Sequence, residues 1–96
     1  MLELRPSCEH CNTDLPNTTS DAMICTFECT FCSDCANTIF ENVCPNCGGN
    51  FVPRPIRPAK FKDKYPASNV RLHAPKDLSE AKLIIDTYKG IAPNKR

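Results

Sequence analysis

The sequence predicts a small metal-stabilised α+β fold, on three observations. All eight cysteines fall between Cys8 and Cys47, in the close pairs Cys8/Cys11, Cys25/Cys29, Cys32/Cys35 and Cys44/Cys47. Three pairs enclose two residues and one encloses three, spacings at which a single tight turn aims two thiolates at one tetrahedral ion. The chain has 96 residues, and the cysteine-bearing segment with its flanks is only about half of it, too little to bury a self-sufficient apolar core. Metal coordination would supply the missing free energy, on the order of 10–16 kcal/mol per structural zinc in comparable peptides.

Eight sulfurs fill two four-sulfur sites with none left over, so two zinc ions are expected. A disulfide framework would also use eight cysteines in a short chain. Against it, the opening Met1-Leu2-Glu3-Leu4-Arg5-Pro6 has no basic stretch followed by an apolar run, so a cytoplasmic, reducing location is expected. Iron is the alternative metal, because Cys44-Pro45-Asn46-Cys47-Gly48 is also the knuckle of rubredoxin-type sites; the full eight-cysteine register is not the four-cysteine rubredoxin one. No run of about 20 apolar residues is present to span a membrane.

The elements follow in order. Leu2-Glu3-Leu4 alternates apolar and charged residues and predicts a short extended segment before Pro6 turns the chain into the first cysteine loop. His10 lies between two cysteines that already complete a ligand count, and is expected to be a bystander. Asn12 to Ser20 is turn chemistry with one apolar anchor, Leu15. Ala22 to Phe31 is rich in β-branched and aromatic residues and predicts a β-hairpin carrying the second pair, with Phe27 and Phe31 in the core. Ser33 as N-cap, followed by apolar Ala36, Ile39, Phe40 and Val43, predicts a helix of about two to three turns that buries Ile39 and Phe40. Phe51 and Val52 are expected to close the core.

Read in sequence, the cysteine spacing resembles the RING-type cross-brace, with cysteine at the fourth position, where histidine is commoner. The resemblance implies that Cys8, Cys11, Cys32 and Cys35 hold one zinc and Cys25, Cys29, Cys44 and Cys47 the other. Spacing alone leaves sequential pairing open. Leu2 to Cys8, Asp14-Leu15-Pro16, Ile24 to Cys32 and Cys44 to Gly49 are similar, block by block, to a family of small bacterial proteins known as domain of unknown function twelve-seventy-two. That resemblance covers residues 1 to about 58, implies no particular activity, and leaves residues past about 60 as an extension.

Charge divides the chain. Residues 1–50 hold seven acids against Arg5 alone, while residues 51–96 hold eleven basic residues against four acids. Such asymmetry marks a nucleic-acid tail or a tail laid on its own acidic partner. Pro53 to Pro58 predicts an extended polyproline-like course, and Arg54, Arg57, Lys60, Lys62 and Lys64, interleaved with Phe61 and Tyr65, are the candidate nucleic-acid contacts. Asp77-Leu78-Ser79-Glu80 resembles a capping box, and Leu78, Ala81, Ile84, Ile85 and Tyr88 recur at helical spacing until Gly90. The expected organisation is a two-metal module over residues 1–52, a basic linker over 53–76, an amphipathic helix over 77–90 and a tail over 91–96. The helix must find a partner for its apolar stripe: the module, a second copy or another protein.

These features point to a non-enzymatic module that binds an unidentified protein, with nucleic acid as the alternative. A ubiquitin-ligase-like adaptor is the third reading. It is disfavoured by Glu9 and Gly48 where such adaptors carry an apolar and a basic residue, and by the absence of tryptophan.

Overall fold

A computed structural model describes all residues from Met1 to Arg96. The hairpin is present: β1 (Ala22–Ile24) and β2 (Thr30–Cys32) pair antiparallel, with Met23 opposite Phe31. A third strand, β3 (Val52–Pro53), pairs antiparallel on the other side of β1, so the sheet order is β2-β1-β3. β3 therefore lies across the expected end of the module at residue 52. Arg54 N–H extends the pairing by donating to the Ala22 carbonyl at 2.8 Å.

The core is built from the sheet's inner face and the cysteine loops. Phe31 and Phe40 are fully buried and meet edge to face at 5.1 Å, and Phe51 meets Phe31 the same way at 5.4 Å. Leu15, Ala36 and Val43 fill the spaces between them.

The central helix differs from expectation. Ser33 and Asp34 are α-helical and lead directly into one wide π-helical turn, Cys35–Ile39, closed by Phe40 N–H donating to the Cys35 carbonyl at 2.9 Å. Positive φ at Glu41 (50°) and Asn42 (62°) then ends it. The wider turn keeps Phe40 inside but leaves Ile39 exposed. Ser33 does not cap the turn; its hydroxyl and N–H engage the Asp21 carboxylate instead.

Two further core expectations are corrected. Phe27 is 71% exposed because it sits at the tip of the loop from Cys25 to Cys29, where both flanking cysteines turn inward. Val52 is half exposed, since β3 is an edge strand and Phe51 takes the inward place. The N-terminal segment is irregular, with Leu4 at φ 57°, although Leu4 itself is buried.

The last helix, α1 (Leu78–Tyr88), forms as its sequence predicts. The Asp77 side chain caps it by accepting from the N–H groups of Ser79 and Glu80. Ala81 and Ile85 are buried in the same cluster as the cysteines, with Ile84 and Tyr88 packed against it, so the helix finds its partner on its own chain. The intervening segment follows: Ser68 N–H donates to the Glu3 carbonyl, Ala74 N–H to that of Glu9, and Lys76 N–H to His10 Nδ1. A radius of gyration of 13.5 Å, close to the ~13 Å of a compact chain this long, agrees with a tail folded back.

Candidate metal centre

Four tight loops deliver the cysteines, and backbone hydrogen bonds within the loop fix the first, second and last. In the first, Asn12 N–H donates to the Cys8 carbonyl at 3.0 Å, and Asn12 takes φ 65°. In the last, Gly48 N–H donates to the Cys44 carbonyl at 2.8 Å, with Gly48 at φ 78°. Backbone N–H groups then point at sulfur: Cys11 N–H toward Cys8 Sγ (3.5 Å) and Gly49 N–H toward Cys47 Sγ (3.4 Å).

The sheet and the π-helical turn bring these loops together in alternation. The sulfurs of Cys8, Cys11, Cys32 and Cys35 all lie within 4.8 Å of one another. Those of Cys25, Cys44 and Cys47 form a second such group. The first loop is thus gathered with the third and the second with the fourth, and the sequential grouping does not occur. Cys29 is the exception. It is buried and adjoins Cys25 and Asn46, yet its sulfur is not within 4.8 Å of all three others. Its loop holds one residue more than the other three, with Glu28 at φ 62°.

The donor set fits a tetrahedral ion. Sulfurs 2.3 Å from a central zinc would stand about 3.8 Å apart, and Cys11 Sγ lies 3.7 Å from Cys32 Sγ. All eight cysteines are free. Without a cation, four thiolates this close would repel one another by about 4 kcal/mol per pair at an effective dielectric of about 20. The protein side of the site accordingly favours protons: burial pushes Cys32 up to about 11, and burial likewise raises Cys35, Cys44 and Cys29. Cys11 goes the other way. Burial opposes its ionisation, but hydrogen bonds from the Thr13 side chain and backbone bring it down to about 7. A bound cation would displace the protons from the buried thiols and cancel the repulsion.

His10 stands outside both groups. Its Nδ1 accepts from Lys76 N–H at 3.0 Å and its ring meets Phe40 at 5.3 Å, which accounts for a histidine between two cysteines without any role as ligand.

Residues to which the sequence assigned no part in the metal centre support it. Glu9 is 7% exposed; its carboxylate accepts from Thr30 N–H at 2.7 Å and pairs with Arg5 at 3.0 Å. This ties the first cysteine loop to β2, which carries Cys32. Asn42 Oδ1 accepts from Phe51 N–H at 2.9 Å and braces the approach to β3.

The candidate nucleic-acid contacts separate into two sets. Arg54 is corrected: it is 5% exposed and donates to the carbonyls of Arg5, Leu15 and Pro16, so its guanidinium faces the fold and no phosphate. Arg57 likewise donates to the carbonyls of Leu2, Tyr65 and Pro66. Lys60, Lys62 and Lys64 are exposed.

No helix is long and apolar enough to cross a membrane. No solved structure matches the chain. An uncharacterised protein of Rhizobium meliloti (strain 1021) is 60% identical over 75 residues, which cover 78% of this chain and 89% of the relative. That stretch is too long to stop at residue 60, so the likeness to this relative runs into the basic segment. The sequence profile described as Protein of unknown function (DUF1272) matches residues 1–57, and with four interleaved cysteine loops across that span, the chain belongs to this family.

Proposed function

We propose that this protein is a non-enzymatic cytoplasmic recognition module held together by two zinc ions in a RING-like cross-brace, with Cys8, Cys11, Cys32 and Cys35 at one and Cys25, Cys29, Cys44 and Cys47 at the other. The observation that carries the reading is the gathering of cysteines distant in sequence into tight groups within a chain that has few other large buried side chains. Tetrathiolate zinc has no open position at which to activate water, which argues for structure over catalysis. His10, the histidine beside the cysteines, has its Nδ1 engaged by the Lys76 N–H, so it is not poised as a general base for a free thiol.

A protein partner is the favoured ligand. Nucleic-acid binding keeps only the three exposed lysines, since Arg54 and Arg57 serve the fold. The ubiquitin-ligase-like adaptor reading has less support still. Glu9 is buried in a pair with Arg5, and Gly48 lies under Tyr88 of α1.

The metal is tested by elemental analysis of reduced, folded protein, with two zinc equivalents expected. Cys29→Ala should lower the content toward one equivalent, as Cys44→Ala does, whereas His10→Ala should leave it at two. Because protons compete for the buried thiols, occupancy should fall as pH is lowered. Material that is folded but metal-free would refute the reading.

A further inference from the structure

We propose that the groove beside the N-terminal segment docks an acidic peptide segment bearing a large apolar side chain. The proposal rests on the protein-recognition reading above and names its surface. The groove measures about 350 Å³, within the range of ligand sites, and is walled by Leu2, Leu4, Pro55, Ile56, Phe61 and Tyr65. Leu4 forms a floor 2% exposed, yet lies outside the main core cluster, while Ile56 and Phe61 remain 51% and 41% exposed. Apolar surface is thus gathered here and left uncovered.

Charge selects the occupant. Lys60 Nζ stands 5.1 Å from the centre of the Phe61 ring and Lys64 Nζ 5.4 Å from that of Tyr65, so two ammonium groups rest against the aromatic wall. Neither they nor Lys62 form an ion pair, and Asp63 is the one acid between Arg57 and Lys64. An apolar side chain flanked by carboxylates would fill the floor and meet the lysines. Nucleic acid fits less well, because much of the lining is aliphatic and the two rings cross at 60°, offering no pair of parallel stacking platforms. A second copy also fits less well, since four of the seven acids of the acidic half, Glu3, Glu9, Asp14 and Glu41, are already paired with Arg5, Arg71 and Lys89 of the same chain.

The experiment selects a random peptide display library against the metal-loaded full chain and measures synthetic copies of the enriched peptides by fluorescence anisotropy. The expected peptides combine acidic residues with a leucine, phenylalanine or tryptophan. Their affinity should drop about tenfold or more on Ile56→Ser or Phe61→Ser, and severalfold on combined Lys60→Glu and Lys64→Glu. Both apolar positions are half exposed, so the variants should keep two metal equivalents and the wild-type circular dichroism spectrum, and a variant that fails this check is replaced by Ile56→Ala or Phe61→Leu. Enriched peptides indifferent to all these changes would overturn the groove while leaving protein recognition standing. Three other results would each overturn the proposal: no enrichment at all, tighter binding of a single-stranded oligonucleotide probe with a steep salt response, or dimerisation abolished by Phe61→Ser. The first two would count against the protein-recognition reading as well.

Discussion

Gly48 is packed directly against Tyr88 of the chain's second half. A Cβ there would stand 2.8 Å from Tyr88 Cε2, and the backbone is left-handed at φ 78°. Gly48→Ala should therefore cost about 1–2 kcal/mol from backbone strain alone, and more from the displaced ring. Urea unfolding of Gly48→Ala, Tyr88→Ala and the double variant reads the coupling directly: the double should be less destabilised than the sum, and strict additivity would show that ring and loop do not meet. Glu9→Ala should cost about 1–3 kcal/mol by stranding Thr30 N–H and the Arg5 guanidinium, measured the same way. The cysteines were legible in the sequence because their pairing is local. Glu9 and Arg54 were not, since the acceptor at Glu9 serves an N–H 21 residues away and Arg54 reaches a carbonyl 39 residues away.

At the scale of elements, α1 could be read in advance because its cap and its apolar spacing lie within a dozen residues. The hairpin was legible for the same reason. The central helix is shorter and wider than its spacing suggests: the sequence from Ser33 to Asn42 has helical spacing, but the chain must place Cys35 and Cys44 in different sulfur groups, and the helix that starts at Ser33 ends in a π-helical turn at Ile39. The cap of α1 carries a pH signature. Hydrogen bonds from the Ser79 hydroxyl and from the N–H groups of Glu80 and Ser79 hold the Asp77 carboxyl below its ordinary range. A carboxylate depressed in the folded state contributes stability above its unfolded pKa and loses that contribution as pH falls through the folded value. Asp77→Ala should lower Tm at neutral pH, and its deficit from the wild type should narrow toward acid. A deficit that does not change with pH would mean that the charge plays no part in the cap.

Across the whole molecule, the division of charge resolves into contact: Arg71 pairs with Asp14 at 2.8 Å and Lys89 approaches Glu41 at 3.9 Å, so basic segments lie on the acidic half. Their exposure makes each pair a weak contributor. Apolar burial by α1 matters more. A chain ending at Pro58 should keep both metal ions but lose the cover that Ala81 and Ile85 give the core, with Ile85 alone accounting for about 1.5–3 kcal/mol. Calorimetry with parallel metal analysis checks this, and an unchanged Tm would show that the helix contributes nothing to the fold. Charge asymmetry left open whether the tail lies on its own acidic half or on nucleic acid, and gave no sign of which carbonyls Arg57 and Arg96 would reach, because those depend on contacts with residues far away in the sequence.

The strand order leaves β3 at the margin of the sheet, and its alternation turns the imino nitrogen of Pro53 outward, since Arg54 N–H faces β1. A nitrogen without hydrogen offers nothing for an incoming strand to grip. That rim is thereby closed to runaway stacking into fibrils.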